Sequence, residues 1–106
     1  MDEHPLDRLF SIIASRSNAS SDKSYTAALL AKGRVECAKK LGEEAIETAL
    51  AAASPDSSAV VRESADLLYH LLVLWTACGV EPSAVYAELR AREAQSGLQE
   101  KSGRGS

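Results

Sequence analysis

The chain has 106 residues, 45% of them hydrophobic and 25% charged, with a formal net charge of −3 and a pI near 5.3. This size and composition predict one globular domain, which we expect to span residues 1–95, while the acidic balance argues against a nucleic-acid partner. An acidic start at Met1-Asp2-Glu3-His4 and the lack of a long uninterrupted apolar run exclude a signal peptide and a membrane partner, so we expect a cytoplasmic protein.

Two helices are predicted in the first third of the chain. Pro5 precedes apolar residues at helical spacing, which predicts an amphipathic helix that fades at Ser15. Residues 15–23 are polar and small, and this composition is typical of a loop. Ser24 is placed to cap a short second helix, which Gly33 would close.

A long helix is predicted from Arg34 to Ala53. Its apolar positions recur at three- and four-residue steps, and we expect them to form one face: Val35, Ala38, Leu41, Gly42, Ala45, Ile46, Ala49 and Ala53. Charged residues would form the other face: Glu36, Lys40, Glu43, Glu44 and Glu47. Pro55 breaks this helix, and because the connection is short, the next helix should be its antiparallel neighbour.

The second long helix should run from about Ser58 to Cys78, with Asp56 or Ser57 as its cap. Between Leu67 and Trp75 it is apolar nearly all the way round, and a surface helix of so small a monomer could not hide such a segment. The segment is also too short to span a bilayer. We therefore expect a homodimer or higher homo-oligomer with a subunit interface here.

The rest of the chain is predicted to hold one more helix and a tail. The helix begins near Pro82 and runs through Arg92, and residues 96–106 form a polar tail that we expect to be mobile. These elements together predict the all-α class, as an antiparallel helical bundle.

Carboxylates lie at helical spacing on both long helices. Glu44 and Glu47 are three residues apart, as are Glu63 and Asp66, so each pair shares a helix face. If the antiparallel helices are in register, the four carboxylates converge, and such a cluster needs a cation because like charges repel. An all-oxygen site selects Mg²⁺ or Mn²⁺ over zinc. The spacing therefore predicts a metal site suited to phosphoryl-group hydrolysis, with a solvated acidic face as the alternative.

Other polar residues accompany the predicted metal site. His70 lies one turn beyond Asp66 and could orient that carboxylate, although a histidine among apolar residues can also be a core or interface residue. Four bases before or within the first acidic helix could hold the phosphates of a substrate, or could simply be exposed side chains: Lys32, Arg34, Lys39 and Lys40.

Three segments of the chain resemble the phosphoribosyl-ATP pyrophosphatase family. They carry Ser-Tyr-Thr within residues 24–33, Lys-Lys-Leu-Gly-Glu-Glu within 39–47, and Ala-Asp-Leu-Leu-Tyr-His within 63–74. The two acidic motifs alone are shared with the wider MazG-like, all-α nucleoside triphosphate pyrophosphatases. All three segments together indicate the histidine-pathway family, and the likeness runs from about Leu6 to Lys101.

The resemblance implies hydrolysis of phosphoribosyl-ATP to phosphoribosyl-AMP and pyrophosphate, the second step of histidine biosynthesis, in a MazG-like bundle completed by dimerisation. It implies that Mg²⁺ is held by Glu44, Glu47, Glu63 and Asp66, with Glu43 beside the metal or positioning water. Glu43 and Glu47 are both candidates for the catalytic base. Two alternatives remain: a housekeeping hydrolase of ordinary nucleoside triphosphates, and a non-catalytic helical dimerisation module.

Overall fold

The computed structural model describes residues 4–19 and 24–94, and these residues form helices and no strand. In chain order the helices are α1 (Pro5–Arg16), α2 (Tyr25–Lys32), α3 (Arg34–Ala51), α4 (Ser57–Cys78) and α5 (Pro82–Glu93). The predicted all-α class and the predicted order of helices are confirmed. Part of the predicted loop and the whole predicted tail lie outside the described residues.

The starts of these helices follow local capping interactions. The Ser24 side chain accepts a hydrogen bond from Ala27 N at 3.1 Å, and Asp56 Oδ1 accepts one from Ser58 N at 3.0 Å. Gly33 alone separates α2 from α3, with φ 94° and ψ 171°. Because this backbone conformation is essentially restricted to glycine, the chain turns abruptly between the two helices.

Helices α3 and α4 form the most extensive helix pair of the fold. Thr48 of α3 contacts Glu63 of α4, and Glu44 of α3 contacts His70 of α4, so the two helices are antiparallel, as predicted. Helices α1 and α2 also pack on α4. The buried core lies where these helices meet α4, and it consists of Ile13, Leu29, Cys37, Leu72 and Val73.

The apolar face predicted for α3 is not its buried face. Cys37 and Glu44 are its buried residues, whereas Val35, Ile46 and Leu50 are 77%, 63% and 68% exposed. The apolar pattern pointed to the wrong face because polar side chains occupy the contact between α3 and α4. The mostly apolar side of α3 is consequently left on the surface of the protomer.

The strongly apolar half of α4 is covered within the protomer. Leu72 and Val73 are only 1% exposed, and Leu74 and Trp75 pack against the core. Helices α1 and α2 thus provide the cover that the sequence analysis expected from a second subunit. The large exposed apolar residues of α4 are Val61, before this segment, and Leu68, near its start.

Helix α5 contacts α1, the first helix of the chain. The Tyr86 hydroxyl donates a hydrogen bond to Asp7 Oδ1 at 3.0 Å, which joins α5 to α1, and Pro82 at the start of α5 is buried. Within the described part of the chain, no helix combines the length and the apolar character needed to cross a membrane.

Candidate functional site

Three carboxylates meet between α3 and α4. Glu44, Glu63 and Asp66 each place an oxygen within 4.8 Å of the others. Glu44 is buried, Glu63 is half-buried and Asp66 is exposed, so the cluster is reached from solvent on the Asp66 side. The three-residue spacing along α4 puts Glu63 and Asp66 on the same face, opposite Glu44.

Two oxygens of this cluster are buried and have no hydrogen-bond partner among the described residues. They are Glu44 Oε2 and Glu63 Oε1. A buried carboxylate oxygen without a donor carries a large desolvation cost, and a cation would satisfy both oxygens at once. A donor set made only of carboxylate oxygens fits a hard divalent cation. The cluster could therefore hold a divalent metal ion.

Glu47, the fourth carboxylate predicted for the site, is not one of the three that cluster. It nevertheless interacts with Glu44. Burial raises the pKa of Glu44, and a hydrogen bond with Glu47 together with the charges of Glu47 and Asp66 raises it further. Lys40 acts in the opposite direction. Glu44 therefore holds a proton more readily than an ordinary glutamate when no cation is bound.

His70 lies buried beside the carboxylates, with 5% of its surface exposed. Its Nε2 is 3.6 Å from Glu44 Oε1, which is too long for a hydrogen bond. Burial lowers the pKa of His70 and Lys40 lowers it further, against the opposing charges of Asp66 and Glu43. The imidazole is thus neutral at pH 7, and its contact with Glu44 is not an ion pair. The sequence analysis suggested that His70 could orient Asp66. The contact that the structure shows for the His70 imidazole is with Glu44.

Aromatic rings pack around His70. The Tyr69 ring lies edge-on to the imidazole with centroids 4.9 Å apart, and the Tyr25 ring is also edge-on at 6.2 Å. The Tyr69 hydroxyl forms a hydrogen bond with Thr26 Oγ1. These contacts attach the start of α2 to α4 next to the carboxylates.

A cleft of about 250 Å³ lies between α2 and α3. It is lined by Tyr25, Leu29, Lys32, Glu36, Lys39, Lys40 and Glu43. The structure thus brings three of the four predicted phosphate-binding residues together, but Arg34 is not part of the lining. Lys40 Nζ is 3.5 Å from Glu43 Oε1. The pKa of Lys40 is raised by its electrostatic interaction with Tyr25, the larger cause, and with Glu43. Because Glu43 directly precedes Glu44, the cleft adjoins the carboxylate cluster.

A larger cavity of about 470 Å³ is less suited to an anionic ligand. It lies between α1, α2 and the end of α4, and none of the described residues that line it is charged: Ser17, Ala19, Ala27, Leu30, Ala31, Thr76 and Ala77. Charge, rather than volume, therefore identifies the cleft beside the carboxylates as the candidate substrate site.

Sequence reasoning did not single out Tyr25 as a site residue. Tyr25, Leu29 and Lys32 are spaced at four and three residues, so they share one face of α2, and all three line the cleft. That spacing was a usable signal. An aromatic residue one turn before a leucine nevertheless resembles an ordinary core position until the facing helix is known.

Comparisons with known proteins agree with this geometry. The profile of the family described as Phosphoribosyl-ATP pyrophosphohydrolase matches residues 6–93. A protein named phosphoribosyl-ATP pyrophosphatase from Parvibaculum lavamentivorans is 60% identical, over 98% of this chain and 95% of its own length. Proteins of the same name from Paramagnetospirillum magneticum and Azospirillum brasilense are 54% and 48% identical, over 97% and 93% of this chain and 94% and 89% of their own lengths.

Replacing Glu44 by glutamine should stabilise the metal-free protein at about pH 8. A carboxyl group whose folded-state pKa is raised stabilises the fold only while protonated, and this contribution is lost as pH rises through the raised pKa. In the presence of a chelator, we expect Tm to rise by about 4 °C, the shift that about 1 kcal/mol produces in a domain of this size. The gain should shrink as pH falls toward the ordinary glutamate range, where wild-type Glu44 is protonated.

The matched control is Glu36→Gln, which removes a carboxylate from an exposed position on the same helix. It should give no such gain. A Glu44→Gln variant with a lower Tm than wild type at about pH 8, or with the same gain at every pH, would contradict this account of the cluster.

Proposed function

The chain belongs to the phosphoribosyl-ATP pyrophosphohydrolase family, and we propose that it hydrolyses phosphoribosyl-ATP to phosphoribosyl-AMP and pyrophosphate in the second step of histidine biosynthesis. The observation that carries this proposal is the cluster of Glu44, Glu63 and Asp66, with two buried and unpartnered oxygens, directly beside a cleft that contains lysines. An oxygen-lined cation site next to anion-binding side chains suits a substrate that carries a chain of phosphates.

We propose Mg²⁺ as the metal, with Mn²⁺ as a possible substitute, held by Glu44, Glu63 and Asp66 together with Glu47. When bound, Mg²⁺ supplies positive charge to the phosphate oxygens of the substrate and polarises the bond to be cleaved. Glu47 joins this set because its carboxyl group already interacts with that of Glu44. Loss of the proton from Glu44 would then accompany binding of the cation.

The side chains of the cleft would bind the substrate and move the proton. Lys32, Lys39 and Lys40 would hold phosphate oxygens and stabilise the charge of the departing pyrophosphate. Arg34 lies outside the cleft lining, so its predicted phosphate contact has less support. Glu43, in the cleft wall, and Glu47, beside Glu44, are our two candidates to accept the proton of the attacking water.

We propose that the protein forms a homodimer through the exposed apolar sides of α3 and α4. Val35 and Ile46 are eleven residues apart, about three helical turns, so they lie on one side of α3 with Leu50 nearby. Val61 and Leu68 are seven residues apart, about two turns, and share one side of α4. Apolar surface of this extent is unusual on a small monomer. Pairing two copies here would complete a helical bundle around the metal-binding helices.

Family membership and relatives with 48–60% identity favour this function over the two alternatives. A housekeeping hydrolase would use the same carboxylates on ordinary nucleoside triphosphates, so only substrate preference separates it from the proposal. A non-catalytic module would release no pyrophosphate from any nucleotide. The cytoplasmic location stays a prediction from the sequence.

Substrate preference is the first test. Binding of the extra phosphoribosyl group can contribute to catalysis, so we expect kcat/KM for phosphoribosyl-ATP to exceed that for ATP by at least ~100-fold, or about 2.7 kcal/mol. Pyrophosphate release would be measured with both substrates and with a panel of deoxynucleoside triphosphates. Equal rates on ATP, or a preference for a deoxynucleotide, would instead indicate the housekeeping function.

The metal assignment predicts that the carboxylates act as a unit. Replacing Glu47 by glutamine should reduce turnover at limiting Mg²⁺ by roughly 100-fold, and adding Asp66→Asn should reduce it little further. Pyrophosphate release would be followed over a magnesium titration. Glu93→Gln on the surface of α5 is the control and should behave as wild type. Near-normal turnover of Glu47→Gln would remove Glu47 from the proposed ligands.

The proposed dimer should dissociate when a charge is placed in its interface. Wild-type protein should sediment as a dimer at micromolar concentration, and Ile46→Asp should shift it toward monomer by placing a charge in the interface. Leu89→Asp changes a similarly exposed apolar residue on α5 and should leave the dimer intact. A wild-type protein that sediments as a well-folded monomer would overturn the proposal.

A further inference from the structure

Thr48 makes an unusual pair of contacts between the two acidic helices. Its hydroxyl oxygen is 2.8 Å from Glu44 O in its own helix and 3.1 Å from Glu63 O in α4. The side chain is half-buried, and its single hydroxyl proton can be shared between the two carbonyl oxygens. One hydroxyl group thus connects the backbones of α3 and α4.

The two carbonyl oxygens that accept from Thr48 belong to Glu44 and Glu63, and the side chains of these residues matter. Glu44 and Glu63 are the two residues whose buried carboxylate oxygens have no hydrogen-bond partner in the described part of the chain. Their carboxylates enter the cluster, while their carbonyl groups accept from Thr48. Any slide of one helix along the other at this level would stretch this contact and change the separation of the carboxylates.

Apolar packing alone would hold this spacing poorly. Hydrophobic contact is non-directional, so apolar side chains packed between α3 and α4 do not by themselves fix the level at which the carboxylates meet. Mg²⁺ requires nearly ideal ligand distances, so a small error in helix register costs affinity. The hydrogen bond from the Thr48 hydroxyl to the main-chain carbonyl of Glu63 restricts the register at this point.

Building on the proposed function, we propose that Thr48 is a positioning residue that sets the spacing of the metal-binding carboxylates on α3 and α4. It does not touch the metal or the substrate in this role. It acts through the main chains of Glu44 and Glu63.

Thr76 offers a matched comparison. Its hydroxyl donates to Leu72 O, four residues earlier in α4, at 3.0 Å, which is the same local bond that Thr48 makes to Glu44 O. Such bonds within one helix are common for threonine and slightly perturb the helix. Removing the Thr76 hydroxyl therefore controls for the local effect without altering the contact between α3 and α4.

The test compares Thr48→Val, which keeps the shape but removes the hydroxyl, with Thr48→Ser, which keeps the hydroxyl, and with Thr76→Val. Binding of Mn²⁺ and Mg²⁺ to each full-length variant would be measured by titration without nucleotide, and metal-free Tm would be recorded. We expect Thr48→Val to weaken metal binding by about five- to tenfold, the effect of one hydrogen bond. Thr48→Ser should stay within about twofold of wild type, and Thr76→Val should be unchanged.

Each outcome bears on the proposal. Unchanged metal affinity in Thr48→Val, equal losses in Thr48→Val and Thr48→Ser, or an equal loss in Thr76→Val would overturn the positioning role. If Thr48→Val does not fold, Thr48→Ala gives the same comparison because it also lacks the hydroxyl. Failure of wild-type protein to bind either cation would instead refute the metal assignment of the proposed function, so the two failures are distinguishable.

Discussion

The rest of the structure depends on the negative charge concentrated between α3 and α4. Glu44, Glu63 and Asp66 repel one another across a helix contact that excludes much of the solvent. The raised pKa of Glu44 and the two unpartnered oxygens are separate expressions of this conflict. A fold that packs acids face to face is incomplete without a counter-charge. The proposed divalent cation would supply that counter-charge.

This constraint also explains where the hydrophobic core lies. Since polar groups occupy the contact between α3 and α4, the core forms mainly where α4 meets α1 and α2, around Ile13, Leu72 and Val73. Helix α4 is accordingly divided along its length. Its first half supplies carboxylates, and its second half supplies most of its buried apolar surface. Helix α3 contributes little to the core and exposes its larger aliphatic side chains.

What could be predicted from the sequence was set by local interactions. Helix starts at Ser24 and Asp56 follow capping groups within three residues, and the spacing of the acidic pairs follows from helix geometry alone. The inner face of α3 could not be predicted in this way. Periodicity distinguishes two faces but does not say which one meets a neighbour, and here the neighbour presents acids and a histidine. The absence of Arg34 from the cleft lining could not be predicted either, since it depends on how α2 and α3 meet.

Gly33 determines how the two helices that form the candidate substrate site meet, because it is the only residue between them. Beyond the residues next to it in the chain, nothing lies within 4 Å of the position that a Cβ would occupy, so only the backbone dihedral angles, with φ at 94°, demand glycine there. Lys32 stands on one side of this residue, and Lys39 and Lys40 stand one to two helical turns beyond it. The spacing of the backbone positions that carry these lysines is thus set by Gly33 and the two helices, while their flexible side chains adjust where the ammonium groups lie. Evolution could retune such a cleft by changing side-chain length more easily than by inserting or deleting residues in a connecting loop.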